Sequence, residues 1–199
     1  ISAMSDDRPL AFGIDLAKSV DWCVSLGLDG SGRTCRFDRW QSPWGETKAR
    51  ILRAVASVPT LADSTGVGDP IVEELARERG NIEGFKFSSQ SKQQLMEGLA
   101  AAIQQRAIRF PDGPIAAELR VFRYEYKAGG RVAYSAPEGF HDDCVCALAL
   151  AVRHAAAVGT ISWAIVGNAP VEKPLEEPIQ DWYAKRRNAW MSGTDLVQT

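Results

Sequence analysis

Hydrophobic and polar positions along the chain form short runs whose period alternates between two and three-to-four. Residues 9–16 are an apolar run closed by an acid, the pattern of a buried strand presenting Asp15 at its C-terminal end. Trp22, Val24, Leu26 and Leu28 then alternate with Cys23, Ser25 and Gly27, which gives a second strand. Asp29-Gly30-Ser31-Gly32 is turn chemistry, and residues 34–41 follow as the third strand of a meander. Ser42-Pro43 supplies an N-cap and a first-turn proline for a helix that turns Trp44, Ile51, Leu52 and Val55 to one face. Residues 60–63 form a short strand, again ending on an acid, Asp63. Asp69-Pro70 repeats the cap-plus-proline signal and opens a helix with Ile71, Val72, Leu75 and Ala76 inward, stopped by Gly80. Residues 82–87 are a strand. Ser88 or Ser89 starts a longer helix with Leu95, Met96, Leu99, Ala102 and Ile103 as its inward stripe. Residues 108–110 are extended before Pro111, and Pro114 opens a helix with Ile115, Leu119 and Phe122 on one side. Residues 124–127 and 131–135 flank Gly129-Gly130, a hairpin signal. The last helix spans about 138–158 and is apolar nearly all round from Cys144 to Val152, so it should be buried.

Three strands as a meander, then helices alternating with strands, predict an α/β fold with a mixed sheet. The first three strands should be antiparallel and the later ones added by helical crossovers. Beyond Gly159 the composition changes, and Pro170, Pro174 and Pro178 mark an extended tail. The expected organisation is a leader or tag remnant over 1–8, one folded domain over 9–158 and a proline-containing tail over 159–199.

Composition narrows the class. Of 199 residues, 45% are hydrophobic and 24% charged, which excludes disordered, collagenous and coiled-coil chains. The longest apolar run, Cys144 to Val152, is far shorter than the ~20 residues of a membrane span. No secretory signal opens the sequence, and four Cys without a C-x-x-C pair argue against structural zinc; a reduced, soluble, intracellular protein is expected. Net charge is −2, yet between Arg77 and Arg131 ten basic residues face six acidic ones. That local bias is compatible with a phosphate-binding face and equally with an ordinary solvated surface.

Candidate chemistry lies in the acids at element ends. Asp15 and Asp63 close strands, and Asp142-Asp143 sit at the start of the buried helix. Ligand sites in open α/β sheets gather at the carboxyl ends of strands. Carboxylates converging there, without protein cations beside them, would repel unless metal ions neutralised them. Hard oxygen donors favour Mg²⁺ or Mn²⁺ and in-line displacement at phosphorus. Taken singly each acid has a plainer reading: a strand-end Asp forms turns, and Asp142 or Asp143 suits a helix dipole. Asp69 before Pro70 is read as an N-cap without chemistry.

The motifs taken in order carry a resemblance. Phe12-Gly13-Ile14-Asp15, then Asp21, then Ala62-Asp63-Ser64-Thr65-Gly66-Val67-Gly68-Asp69, then Phe140-His141-Asp142-Asp143 resemble the nuclease domain of phage large terminase subunits, of the ribonuclease H-like superfamily. The resemblance covers roughly residues 10–158 and takes in the stretch 87–92, Arg109-Phe110-Pro111 and Glu118-Leu119. It implies a ribonuclease H-like mixed sheet flanked by helices. It also implies that Asp15, Asp63 and Asp143 are the catalytic, metal-binding acids, with Asp142 and Asp21 secondary. Asp15 would bridge two Mg²⁺ or Mn²⁺ ions. The middle acid is often Glu in this superfamily, and Asp63 is shorter by one methylene. Helical periodicity does not choose between Asp142 and Asp143; the resemblance favours Asp143. His141 would orient a phosphate or protonate a leaving oxygen, and Lys92, Arg109, Lys127 and Arg131 would meet DNA phosphates. Solvent-facing positions are the plainer reading of these five.

The implied function is metal-dependent endonucleolytic cleavage of double-stranded DNA concatemers during viral genome packaging. It would take place in the host cytoplasm at the procapsid, with portal and small terminase subunit as partners. Large terminases also carry an N-terminal ATPase; no G-x-x-x-x-G-K-[ST] occurs here, so an isolated nuclease half is expected. Competing readings are a junction resolvase of the same superfamily, an actin-like nucleotide-binding domain and a non-catalytic packaging docking module.

Overall fold

The computed structural model describes residues 8–17, 22–66, 68–126 and 132–159. Strands β1 (Ala11–Asp15), β2 (Cys23–Leu28), β3 (Thr34–Trp40), β4 (Thr60–Asp63) and β5 (Ile82–Phe85) form one sheet in the order β3-β2-β1-β4-β5. The meander β1-β2-β3 is antiparallel, and β4 and β5 join parallel to β1. This is the mixed α/β sheet expected from the element order.

Strand alternation sorts the side chains into two cores. Phe12, Ile14, Cys23, Trp40 and Ala62 face one side, where α1 (Trp44–Val55) and α2 (Gly68–Glu78) contribute Ile51, Val55, Val72 and Leu75. Ala11, Val24, Leu26 and Leu61 face the other, covered by α3 (Ser89–Gln104), α4 (Pro114–Val121) and α5 (Asp143–Ala157). Covering both faces explains why β2 is buried at all six positions although its sequence alternates. Helix α5 lies directly on β1. A Cβ built on Gly13 would stand 2.0 Å from the Ala147 carbonyl oxygen and 2.3 Å from the Ala151 nitrogen. Only glycine permits that approach.

Three helix starts differ from expectation. Pro43 takes the N-cap position of α1 and Ser42 does not cap; its carbonyl instead accepts from the Thr47 hydroxyl at 3.2 Å. Asp69 lies inside the first turn of α2, and its carboxylate accepts from Lys86 Nζ at 2.7 Å. Helix α5 begins at Asp143, not near 138, because Gly139 takes φ +81° in a turn closed by the Phe140 N–H donating to the Pro137 carbonyl at 3.0 Å. By contrast α3 starts as expected, with Ser88 and Ser91 in a reciprocal capping box. The hairpin strands β6 (Arg123–Tyr126) and β7 (Val132–Ser135) pair antiparallel. Its turn, with Lys127 and Arg131, lies outside the described residues, as do Asp21 and the tail. Among the described residues no helix is long and apolar enough to cross a membrane.

Candidate metal centre

Register brings the acids together. Ile14 pairs with Ala62 across the parallel β1–β4 ladder, so Asp15 and Asp63 close adjacent strands in step, about 4.8 Å apart at the backbone. By alternation Asp15 shares the face of Ala11 and Gly13, and Asp63 that of Leu61, which is the face covered by α5. The N-terminus of α5 delivers Asp142 and Asp143 to the same end of the sheet.

The electrostatics follow from crowding. Asp15 is half-buried at the end of β1 and closely surrounded by protein. Burial first, then the charges of Asp63, Asp143 and Asp142, push its carboxyl well above the usual range, with Lys92 opposing. Burial also raises Asp63, partly offset by the hydroxyl and backbone N–H of Thr65; the N–H donates to its Oδ1 at 2.8 Å. Asp143 is pushed up to about 6 by burial and by Glu118, against His141 and Arg39.

The expectation that no protein cation stands nearby is overturned. Lys92 Nζ donates to Asp142 Oδ2 at 3.0 Å and lies 5.8 Å from the Phe87 ring centre. Burial alone would lower this ammonium, but the acidic groups Cys146, Asp142 and Asp15 outweigh it and hold the proton on. Arg39 of β3 aligns with Val24 and, through it, with Asp15. Its Nη2 lies 3.4 Å from Glu118 Oε1 and 3.7 Å from Asp143 Oδ2, and its guanidinium is 4.6 Å from the Trp22 ring centre.

The donor set is the right kind for a hard divalent cation: carboxylates from β1, β4 and α5. Asp143 Oδ2 is buried and accepts no hydrogen bond, with Arg39 Nη2 at 3.7 Å and His141 Nδ1 at 3.4 Å as its nearest ion-pair contacts. Among the described residues no three acid, His or Cys side chains yet stand close enough to clasp an ion as they are. A depression of about 460 Å³ lined by Ser64, Asp69, Glu73 and Lys86 includes none of the three acids.

No family model matches the chain. Solved structures do. The large terminase nuclease of thermophilic phage G20c with bound magnesium is 32% identical, over 74% of this chain and 82% of that one, with a TM-score of 0.68. The chain belongs to the large terminase nucleases. The nuclease domain of Thermus phage P74-26 is 31% identical over 71% of this chain and 76% of that one, TM-score 0.63. The large terminase subunit of Thermus phage G20c is 35% identical over 153 residues, 73% of this chain. The chain spans about a third (31%) of that curated relative's length. The mixed five-stranded sheet flanked by helices is thus the fold of this terminase nuclease.

Of the residues singled out in the sequence, Asp15, Asp63, Asp142, Asp143 and Lys92 are brought together. His141 is half-exposed at the rim, its Nδ1 3.4 Å from Asp143 Oδ2. Arg109 is not with them. It bridges Arg33 at the start of β3, whose next residue, Thr34, pairs with Leu28 and so aligns with Ala11. That is the other end of the sheet from Asp15, about 13 Å along β1. Arg39 was not singled out in the sequence, and Glu118, though within the stretch of resemblance, was given no role; both lie beside Asp143. Glu118 carried a signal: an acid at helical spacing between Ile115 and Phe122, on the face α4 buries.

Proposed function

We propose that this chain hydrolyses phosphodiester bonds of double-stranded DNA during viral genome packaging, with Mg²⁺ or Mn²⁺ held by Asp15, Asp63 and Asp143. In this reading Asp15, Asp63 and Asp143 would hold the cations between them. The observation that carries it is the gathering of acids around Asp15, where burial and then the charges of Asp63, Asp143 and Asp142 raise its affinity for a proton and would favour a divalent cation in the same way. That terminase nucleases of phage G20c have been solved with magnesium, cobalt and zinc bound supports dependence on a divalent cation. When bound, the cations supply Lewis-acid activation of water and stabilise charge on the scissile phosphate.

The protein groups have separate tasks. Asp15 and Asp63, fixed by the parallel ladder, form the rigid side of the site. Asp142 holds the Lys92 ammonium beside the acids, where it offsets repulsion of the DNA backbone. His141 at the rim can meet a phosphate or return a proton to the leaving oxygen. The longer protein would add an ATPase domain, portal and small subunit contacts, and act at the procapsid in the host cytoplasm.

Plasmid nicking in EDTA, Mg²⁺ and Mn²⁺ tests this reading. Cutting should require the divalent ion and vanish in Asp15→Asn. Equal cutting in EDTA, or none in either metal, would sink it.

A further inference from the structure

Helix α5 starts without a cap of its own. Asp142 occupies the N-cap position, yet its carboxylate makes no cap hydrogen bond, being turned to Lys92. Asp143, the first helical residue, keeps Oδ2 free of hydrogen bonds. An aspartate at the N-cap ordinarily folds back on the helix's own N–H groups. What releases Asp142 is Glu118 of α4. Its Oε2 accepts the Cys144 backbone N–H at 2.7 Å, a fully buried bond between two helices. The other oxygen, Oε1, accepts no hydrogen bond and is offset by the charge of Arg39, whose Nη2 lies at 3.4 Å.

We propose that Glu118 is a positioning residue for the nuclease: it caps α5 from α4 and so leaves Asp142 to Lys92 and holds Asp143 on the side of Asp15. The idea rests on the metal reading above. Its reasoning is one of reach and supply. A helix N-terminus offers unsatisfied N–H groups that some acceptor must meet. If Asp142 met them, Lys92 would lose its partner and the start of α5, with Asp143, would be held differently. Glu118 is 7% exposed, so water does not compete for the same N–H.

Two conservative variants separate reach from charge. Glu118→Gln keeps the length and an acceptor oxygen but loses the charge beside Arg39. Glu118→Asp keeps the charge but withdraws the carboxylate by ~1.5 Å, one carbon–carbon bond. Three measurements are compared with the parent: the Mn²⁺ concentration giving half the rise in melting temperature, the Mn²⁺ dependence of nicking, and amide exchange at Cys144 without metal. We expect Glu118→Gln to match the parent within about threefold in both metal dependences and to keep Cys144 protected. Glu118→Asp should need at least ~10-fold more Mn²⁺, the lower end of the loss from removing an outer-shell partner, and should expose the Cys144 amide. The reverse order would assign the effect to the ion pair with Arg39 and overturn the proposal. Equal damage in both variants, or none in either, would overturn it as well. A role confined to the fold would lower the metal-free melting temperature without moving the Mn²⁺ midpoints. If the parent itself neither binds Mn²⁺ nor nicks DNA, the metal reading fails, and the exchange of Cys144 in the two variants still decides the cap.

Discussion

Asp15 ends β1 beside Asp63 of β4, and burial makes the Asp15 carboxyl costly to ionise before any neighbour is counted. A carboxyl whose pKa is raised in the fold contributes stability that is present below its ordinary value near 3.8 and lost as the pH rises. At neutral pH the metal-free protein therefore carries strain at this residue. Asp15→Asn should melt at or above the parent in EDTA while nicking falls by more than ~100-fold, beyond what loss of an outer partner costs. Asp63→Asn and Asp143→Asn should lose cutting likewise. Asp142→Asn should retain measurable activity, since an amide oxygen can still accept from Lys92. Calorimetry in EDTA and a nicking time course check both halves. A reversed order for Asp142 and Asp143 would put the wrong acid of the pair in the site.

At the scale of elements, what places Asp143 is the contact of α5 with β1 at Gly13. Gly13→Ala would drive a methyl into the Ala147 carbonyl and lift the helix. Overpacking of a core typically costs 1–3 kcal/mol, and a clash with backbone should reach about 3. Denaturant melts should show that loss together with a weaker Mn²⁺ response. An unchanged midpoint would mean that the helix yields freely. Near its other end α5 buries His154 at 5% exposure, where desolvation lowers the imidazole below 6.5 against the opposing charge of Glu83. A depressed pKa gives stability that is full above 6.5 and lost as the pH falls through the folded value. His154→Gln should flatten the decline in melting temperature between about pH 7 and 5; an identical decline would remove His154 as its source. These elements were largely legible because strands ending in Asp15 and Asp63, and an all-apolar helix, are patterns local to the chain. The start of α5 was not. It is set by Gly139 and by Glu118 reaching from another helix, and periodicity says nothing about caps supplied from elsewhere. Arg39 was hidden for the same reason: only the β2–β3 register aligns it with Asp15.

The whole molecule carries a net charge of −2 and gathers acids at one end of its sheet, so in the proposed function it must bring a polyanion onto an acidic cluster. Lys92 and Arg39 offset part of that field, but Asp15, Asp63, Asp142, Asp143 and Glu118 outnumber them. A divalent cation would remove the excess and bind only the folded arrangement, because register and helix packing create the cluster and the unfolded chain disperses it. Binding should therefore appear as stability. At a hundredfold excess over Kd the linkage is about 2.7 kcal/mol, which for a domain of this size is roughly 5–11 °C in melting temperature. Mn²⁺ titrated against the parent should produce a saturating rise of that order, reversed by EDTA. Asp63→Asn should show little or none. The rise should also be nearly independent of NaCl at moderate salt, because direct ligation within the partly buried cluster is screened far less than exposed charge. A shift of the same size in Asp63→Asn, or one abolished by NaCl, would mean that the ion condenses on the acidic surface and is not held by the acids of β1, β4 and α5.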